Sequence, residues 1–312
     1  MVSFTGFIPK IGEFAALGTA VSWTAGAMVF ESASRRAGVM AVNTLKVIFA
    51  TLYLGVLSFI VYRRFLPAGL PPNCWIFMSA SGIVGFVIGD YFLFNAYLLI
   101  GSRMGMLLMS ASVPLTAVAS RFFFGEALGK WSILGIVLAM AGISLTVIAG
   151  KPDAEAGKTD RDKAPFRREH YRKGIVFGIF SAVAMAAGTI LTKTGAAGVS
   201  AIGATQVRVF AAAVGFIVLA FLTGKSDEVI SSVRDPRSLR LIAIGSVFGP
   251  FAGVGCLLFA LQKAPAGIVS TISSLSPVLI IAPSILIWKR KVGFPEILGA
   301  LIAFGGTALL FL

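Results

Sequence analysis

Apolar residues in this chain run on for about twenty positions at a time, interrupted only by short groups of charges and turn formers. A helix crossing roughly 30 Å of hydrocarbon needs about 20 such residues. The runs predict ten spanning helices, at 12–31, 41–62, 75–98, 102–123, 131–149, 174–193, 203–223, 239–261, 265–288 and 295–312. The connections are short except for one polar, mixed-charge segment, KPDAEAGKTDRDKAPFRREHYRK at 151–173. The small residues Ser32–Ala33–Ser34 faintly echo a signal-peptide cleavage site. With nine further runs behind it, the first run is read as a retained helix.

The polar segment lies at the midpoint, which invites a search for an internal repeat. SASVPLTAVAS (110–120) lies over SSLSPVLIIAP (273–283), with Pro114 over Pro277. ILGIVLAMAG (133–142) matches ILGALIAFGG (297–306), and WTAGAMVFE (23–31) matches MAAGTILTK (185–193). At that spacing Lys46 falls over Arg208. Four matches in one order divide the chain into a five-helix half at 11–150, a linker loop at 151–173 and a second five-helix half at 174–312. Five crossings leave the chain on the opposite face, so the second half enters the bilayer inverted. Inverted repeats of this kind are a transporter architecture, with the substrate path at the repeat interface near mid-bilayer.

Composition agrees. The chain is 57% hydrophobic and 13% charged, where a soluble domain carries roughly 25% charged residues. The net charge of +14 lacks the aromatic-interleaved basic face of a nucleic-acid binder; the basic residues cluster between apolar runs, where they set topology. Cys74 and Cys256 are far apart and form no CxxC pair, so neither a disulfide framework nor a metal site is indicated. His170 is the only histidine and lies in the linker, which excludes a Ser-His pair in the membrane. No HExxH or GxxxxGK[ST] is present, so neither a zinc protease nor a built-in ATPase is expected. No enzyme, cofactor or metal is called for.

The stretches 95–145 and 260–310, with their small residues, Val-Pro or Ser-Pro, and Ile-Leu-Gly, each resemble the second part of an EamA domain, the five-helix repeat of the drug/metabolite transporter superfamily. The resemblance implies an all-α polytopic protein of ten transmembrane helices, two inverted EamA repeats, and alternating access around a central cavity. It further implies carriage of small metabolites, often export of amino acids or related compounds across a prokaryotic cell membrane; protons enter as a coupling ion through the reading of Asp90 below. One departure is that WKRK (288–291) stands in the second half where the first has FGEA (124–127).

A charge at mid-bilayer costs about 2.5–3.5 kcal/mol on insertion scales, so ionisable residues inside spans face a cavity or a partner. Asp90 lies deep in the third span, with Tyr91, Asn95 and Tyr97 nearby. It is either a cation- or proton-accepting carboxylate of the cavity, or a structural partner for Lys46 or Arg208. Lys46 and Arg208 are either a pseudo-symmetric pair that binds a substrate carboxylate, or cations that snorkel to the interface. Asn43 and Gln206 add amides beside them, and Trp23 is a further candidate for the cavity or for packing. Pro114 and Pro277 are expected to kink the fourth and ninth helices. Glu31 and Lys193, at matched helix ends, point to topology or an interfacial gate, and Glu126 to a cap on the following helix.

The side is set by two opposed arguments. The faces carrying the termini hold seven basic residues near the spans, whereas the opposite faces hold ten and the linker eight more. The positive-inside rule therefore puts the linker in the cytoplasm, while the resemblance puts the termini there. The expectation is a secondary or facilitative carrier of small polar metabolites. The rival is a non-transporting membrane scaffold, and a water-filled cavity lined by Asp90, Lys46 or Arg208 separates the two.

Overall fold

The computed structural model describes residues 11–67, 69–125, 129–149, 164–264, 266–287 and 292–310. Among these residues every regular element is helical. The first two are α1 (Ile11–Ala37) and α2 (Val39–Tyr62). The third span is α3 (Pro72–Ser81), a π-helical segment (Gly82–Asp90) and the first half of α4 (Tyr91–Ser110). The rest of α4 and α5 (Ser112–Phe124) form the fourth, and α6 (Lys130–Ala149) the fifth. The second half has α7 (Ala164–Gly195) and α8 (Ala201–Leu222), then a short surface helix, α9 (Ser226–Arg234). Its third span is α10 (Pro236–Ser246), a second π-helical segment (Val247–Gly253) and α11 (Val254–Lys263). Its fourth is α12 (Ala266–Ser273), α13 (Ser276–Leu279) and α14 (Ile281–Leu286), and its fifth is α15 (Phe294–Leu309).

Ten crossings result, as the apolar runs predict. The 53-residue apolar stretch Pro72–Phe124 counts as two because Gly101 breaks it. Two differences from the predicted segments have simple causes. The first helix continues to Ala37, because Arg35 and Arg36 sit in its last turn, where cations favour the helix dipole. Residues 164–173, read from composition as linker, are already helix; a polar helix end outside the bilayer carries no hydropathy signal.

Two turns between spans are reduced to single glycines. Gly38, between α1 and α2, has φ 83° and ψ 157°, and Gly101, between the third and fourth spans, has φ 80° and ψ 159°. Side chains rarely adopt this region, so only glycine closes so short a connection. The helix of the fourth span is interrupted again at Ala111, three residues before the buried Pro114, and Pro277 sits in the first turn of α13. There the missing N–H is among the donors a helix start leaves unpaired anyway.

The two halves meet through matched helices running in opposite directions. In the paired Ile-Leu-Gly stretches, a methyl group on Gly135 would lie 2.6 Å from Gly306 O, and one on Gly306 2.7 Å from Gly135 O. Likewise Gly142 would meet Gly299 O at 2.5 Å, and Gly299 would meet Gly142 O at 2.7 Å. Residues matched by the repeat thus contact crosswise, so α6 and α15 pack backbone to backbone about a pseudo-two-fold axis. Small residues permit this approach, and in lipid such close packing drives helix association. The matched glycines of the first spans repeat the pattern. A methyl on Gly26 would lie 3.1 Å from Gly249 N, and one on Gly188 2.8 Å from Gly85 Cα. Each of these partners lies in a π-helical segment, so both wide turns face the first span of the opposite half.

Candidate functional site

Lys46 lies seven residues into α2, about 10 Å from its start at 1.5 Å per residue. Asp90 closes the first π-helical segment. Their side chains meet: Lys46 Nζ donates to Asp90 Oδ2 at 2.6 Å and to Asn43 Oδ1, one turn back, at 3.1 Å. Asn43 Nδ2 in turn donates to Val39 O at 3.2 Å and Asp90 O at 3.5 Å. The ammonium also stands 4.3 Å from the Phe94 ring centroid and 5.7 Å from that of Phe30. Phe94 stacks on Tyr97 at 5.4 Å. Lys46 and Asp90 are each 6% exposed, so the pair is buried. Breaking such a pair from one side is strongly destabilising, typically by about 3–5 kcal/mol.

The structure shows which of these side chains meet. Asp90 pairs with Lys46; Arg208 feels it only as a longer-range charge. Lys46 turns inward and does not snorkel to the interface. Its matched residue Arg208 does not join it: the guanidinium stacks 4.3 Å over the Phe86 ring. Nη2 lies where a side chain at Gly85 would begin, 2.7 Å from the place a Cβ would take. Arg208 Nε is buried without a hydrogen-bond partner among the described residues. The residue as a whole keeps intermediate exposure.

The remaining candidates divide. Asn43 belongs to the ion pair. Gln206 does not: its Nε2 donates to Leu54 O at 3.2 Å and Phe65 O at 2.9 Å, fastening the connection after α2. Asn95 donates to Tyr91 O at 2.7 Å, one turn back in its own helix. Tyr91 packs edge-on to Phe92 and lies 6.0 Å from Lys225 Nζ. Trp23 fills the space that Gly253 leaves open in the second π-helical segment. By the repeat spacing Gly253 matches Asp90, so only one half carries the carboxylate. Glu126 lies outside the described residues.

On the face that carries the linker, a set of polar contacts escaped sequence reasoning. Glu228 of α9 accepts from Met40 N at 2.9 Å and Ala41 N at 3.2 Å, capping α2 where it restarts after Gly38. Glu31 accepts from Ser102 N at 2.7 Å, capping the fourth span where it restarts after Gly101, and from Arg35 at 2.8 Å. Each single-glycine turn is therefore completed by a carboxylate from another element, which satisfies donors that a helix start leaves open. Ser232 donates to Ala37 O at 3.3 Å, and Arg36 Nε donates to Asp235 Oδ2 at 2.7 Å. Arg36, with help from Ser238, holds the Asp235 carboxyl well below the usual carboxylate range.

A second buried ion pair, Arg103 with Glu296, joins the fourth span to the tenth. It borders a narrow cleft that Pro277 and Thr146 also line, and Thr146 Oγ1 donates to Glu296 O at 3.3 Å. Both charges sit at the edge of an apolar run, where charge reads as topology. Only their meeting across 193 positions reveals a pair. Lys193, the counterpart of Glu31, lies 4.7 Å from the Phe124 ring centroid. Among the described residues no group of three His, Cys, Asp or Glu side chains is arranged to hold a metal.

The model of the EamA-like transporter family matches residues 10–148 and again 172–312. A solved structure titled only as the crystal structure of a protein superposes with a TM-score of 0.62 at 15% identity. The match covers 96% of this chain and 95% of that one, and it speaks to the fold alone. No curated protein matches the sequence.

Proposed function

From the premise that the chain belongs to the EamA-like transporter family, and is an integral multi-pass membrane protein, we propose that it is a secondary or facilitative carrier. It moves small polar metabolites, amino acids or related compounds, by alternating access between the halves 11–150 and 174–312. Export across a prokaryotic inner membrane is the direction and place this reading assigns. The observation that carries it is the crosswise packing of matched, oppositely directed helices, with the Lys46–Asp90 pair buried between α2 and the third span. Two similar halves in opposite orientations supply two alternative closures of one path.

In this reading the present conformation is the one closed toward the linker face. The Glu31, Glu228, Arg36–Asp235 and Arg103–Glu296 contacts are its latches. Opening that face releases them and opens a route toward Lys46 and Asp90. Asp90 is the proton-accepting group of this scheme, since protonation removes the charge that holds Lys46. Flux of a radiolabelled amino-acid and metabolite panel in proteoliposomes, with and without a proton gradient, tests the proposal. Saturable flux that Asp90→Asn makes independent of pH is expected. A well-folded protein that moves nothing in the panel would refute the carrier reading.

A further inference from the structure

The cations Lys46, Arg103 and Arg208 are set into the second, fourth and seventh spans. Two are neutralised in place, Lys46 by Asp90 and Arg103 by Glu296. The third has no carboxylate within 4.0 Å among the described residues. Its Nε, like that of Arg103, is sealed from solvent without an acceptor, but Arg103 has Glu296 at its Nη1, whereas Arg208 has only the Phe86 ring over its face. Guanidinium carries five donors in a fixed fork and no acceptor. Leaving Nε unanswered where solvent does not reach it is costly unless an oxygen acceptor arrives. Gly85, which has no side chain, gives Nη2 the room it occupies, and Arg208 keeps intermediate exposure.

We propose that Arg208 is the substrate-recognition cation and that the transported solute carries a carboxylate, which the guanidinium grips through paired hydrogen bonds. The inference rests on the carrier reading and names its substrate class. Lys46 and Asp90 cancel, which leaves the charge of Arg208 without a carboxylate within 4.0 Å among the described residues. A small carboxylate balances it, and the planar fork matches carboxylate geometry in a way an ammonium does not. Phe86 stacked on the guanidinium fixes the orientation of the fork before the solute arrives.

The test uses the full chain in nanodiscs of zwitterionic phosphatidylcholine, which removes anionic lipid headgroups as a rival source of the oxygen acceptor. Propionate is the probe, ethylamine the control without a carboxylate, and saturation-transfer NMR the readout. Propionate binding is expected in the wild type and ethylamine binding is not. Arg208→Gln weakens propionate roughly ten- to hundredfold, the usual worth of a charged hydrogen-bonded contact, and Arg208→Lys restores part of it. Gly85→Ala, which keeps the charge but pushes the fork aside, weakens it too and covers the case in which Arg208→Gln fails to fold. Equal propionate binding by wild type and Arg208→Gln, or none by the wild type, overturns the assignment. Loss of propionate binding when anionic lipid is added would show that headgroups are what Arg208 holds, and overturns it as well. Flux of uncharged or cationic solutes that ignores Arg208 would leave the carrier and sink this inference. Arg208-dependent propionate binding without flux of any solute would do the reverse.

Discussion

Replacing Gly142 with Ala tests the crosswise seam between the halves most directly. Alanine is the better helix former by about 1 kcal/mol, so at an unencumbered site the change stabilises. At Gly142 the new methyl would stand 2.5 Å from Gly299 O and 2.8 Å from Ala303 Cα. Both are backbone atoms of the facing helix, which no rotamer change moves aside, so α6 and α15 must separate. Overpacking of this kind costs typically about 1–3 kcal/mol, leaving a net loss of up to about 2 kcal/mol. Gly305, one position from the seam on α15, has open space within 4 Å of where a methyl would stand, and Gly305→Ala should gain about 1 kcal/mol. Thermal unfolding in one detergent reads the difference, with Gly142→Ala several degrees below wild type and Gly305→Ala at or above it. Gly306→Ala, on the facing helix of the same seam, should fall like Gly142→Ala. The two should combine less than additively, because the helices are already apart. Equal midpoints for Gly142→Ala and Gly305→Ala would refute the backbone-to-backbone seam.

Lys46→Met leaves Asp90 buried and unpaired and should cost about 3–5 kcal/mol in the same unfolding assay. The double change with Asp90→Asn should recover most of that, and a double variant no better than the single would deny the pairing. Glu228→Ala removes the acceptor for the first amides of α2 and should cost about 1 kcal/mol. Hydrogen exchange at Met40 and Ala41 should quicken, whereas Glu228→Gln, which keeps an acceptor, should preserve most protection. Asp235 has a depressed pKa, so its contact with Arg36 contributes above the ordinary carboxylate value of about 4 and fades as pH falls below it. Exchange protection of α9 should therefore drop in acid in the wild type but be low at neutral pH in Asp235→Asn; a profile that Asp235→Asn leaves unchanged would remove the latch.

Hydropathy sufficed for the ten crossings because a bilayer rewards unbroken apolar length, and length is a local property of sequence. The repeat was readable for a related reason: Gly135, Gly142, Gly299 and Gly306 must all be small where backbones touch, so the constraint leaves matching letters in both halves. The π-helical segments leave no such trace, since a wide turn shifts hydrogen-bond register without changing which residues are apolar. Asp90 stood out as a charge deep in a span, yet its neighbours on the same helix could not say which cation it meets. That choice is made by the approach of α2, which sets Lys46 beside it and leaves Arg208 against Phe86. Glu31, Glu228, Arg103 and Glu296 were harder still, because each sits at a helix edge where solvated charge is ordinary. What gives Glu31 and Glu228 work is the shortness of the turns at Gly38 and Gly101, which bury helix starts that a longer loop would leave to water. A buried helix start needs an acceptor from elsewhere in the fold, and in the inverted arrangement the one for α2 comes from the other half. The same carboxylate therefore closes a turn in one half and ties that half to its counterpart.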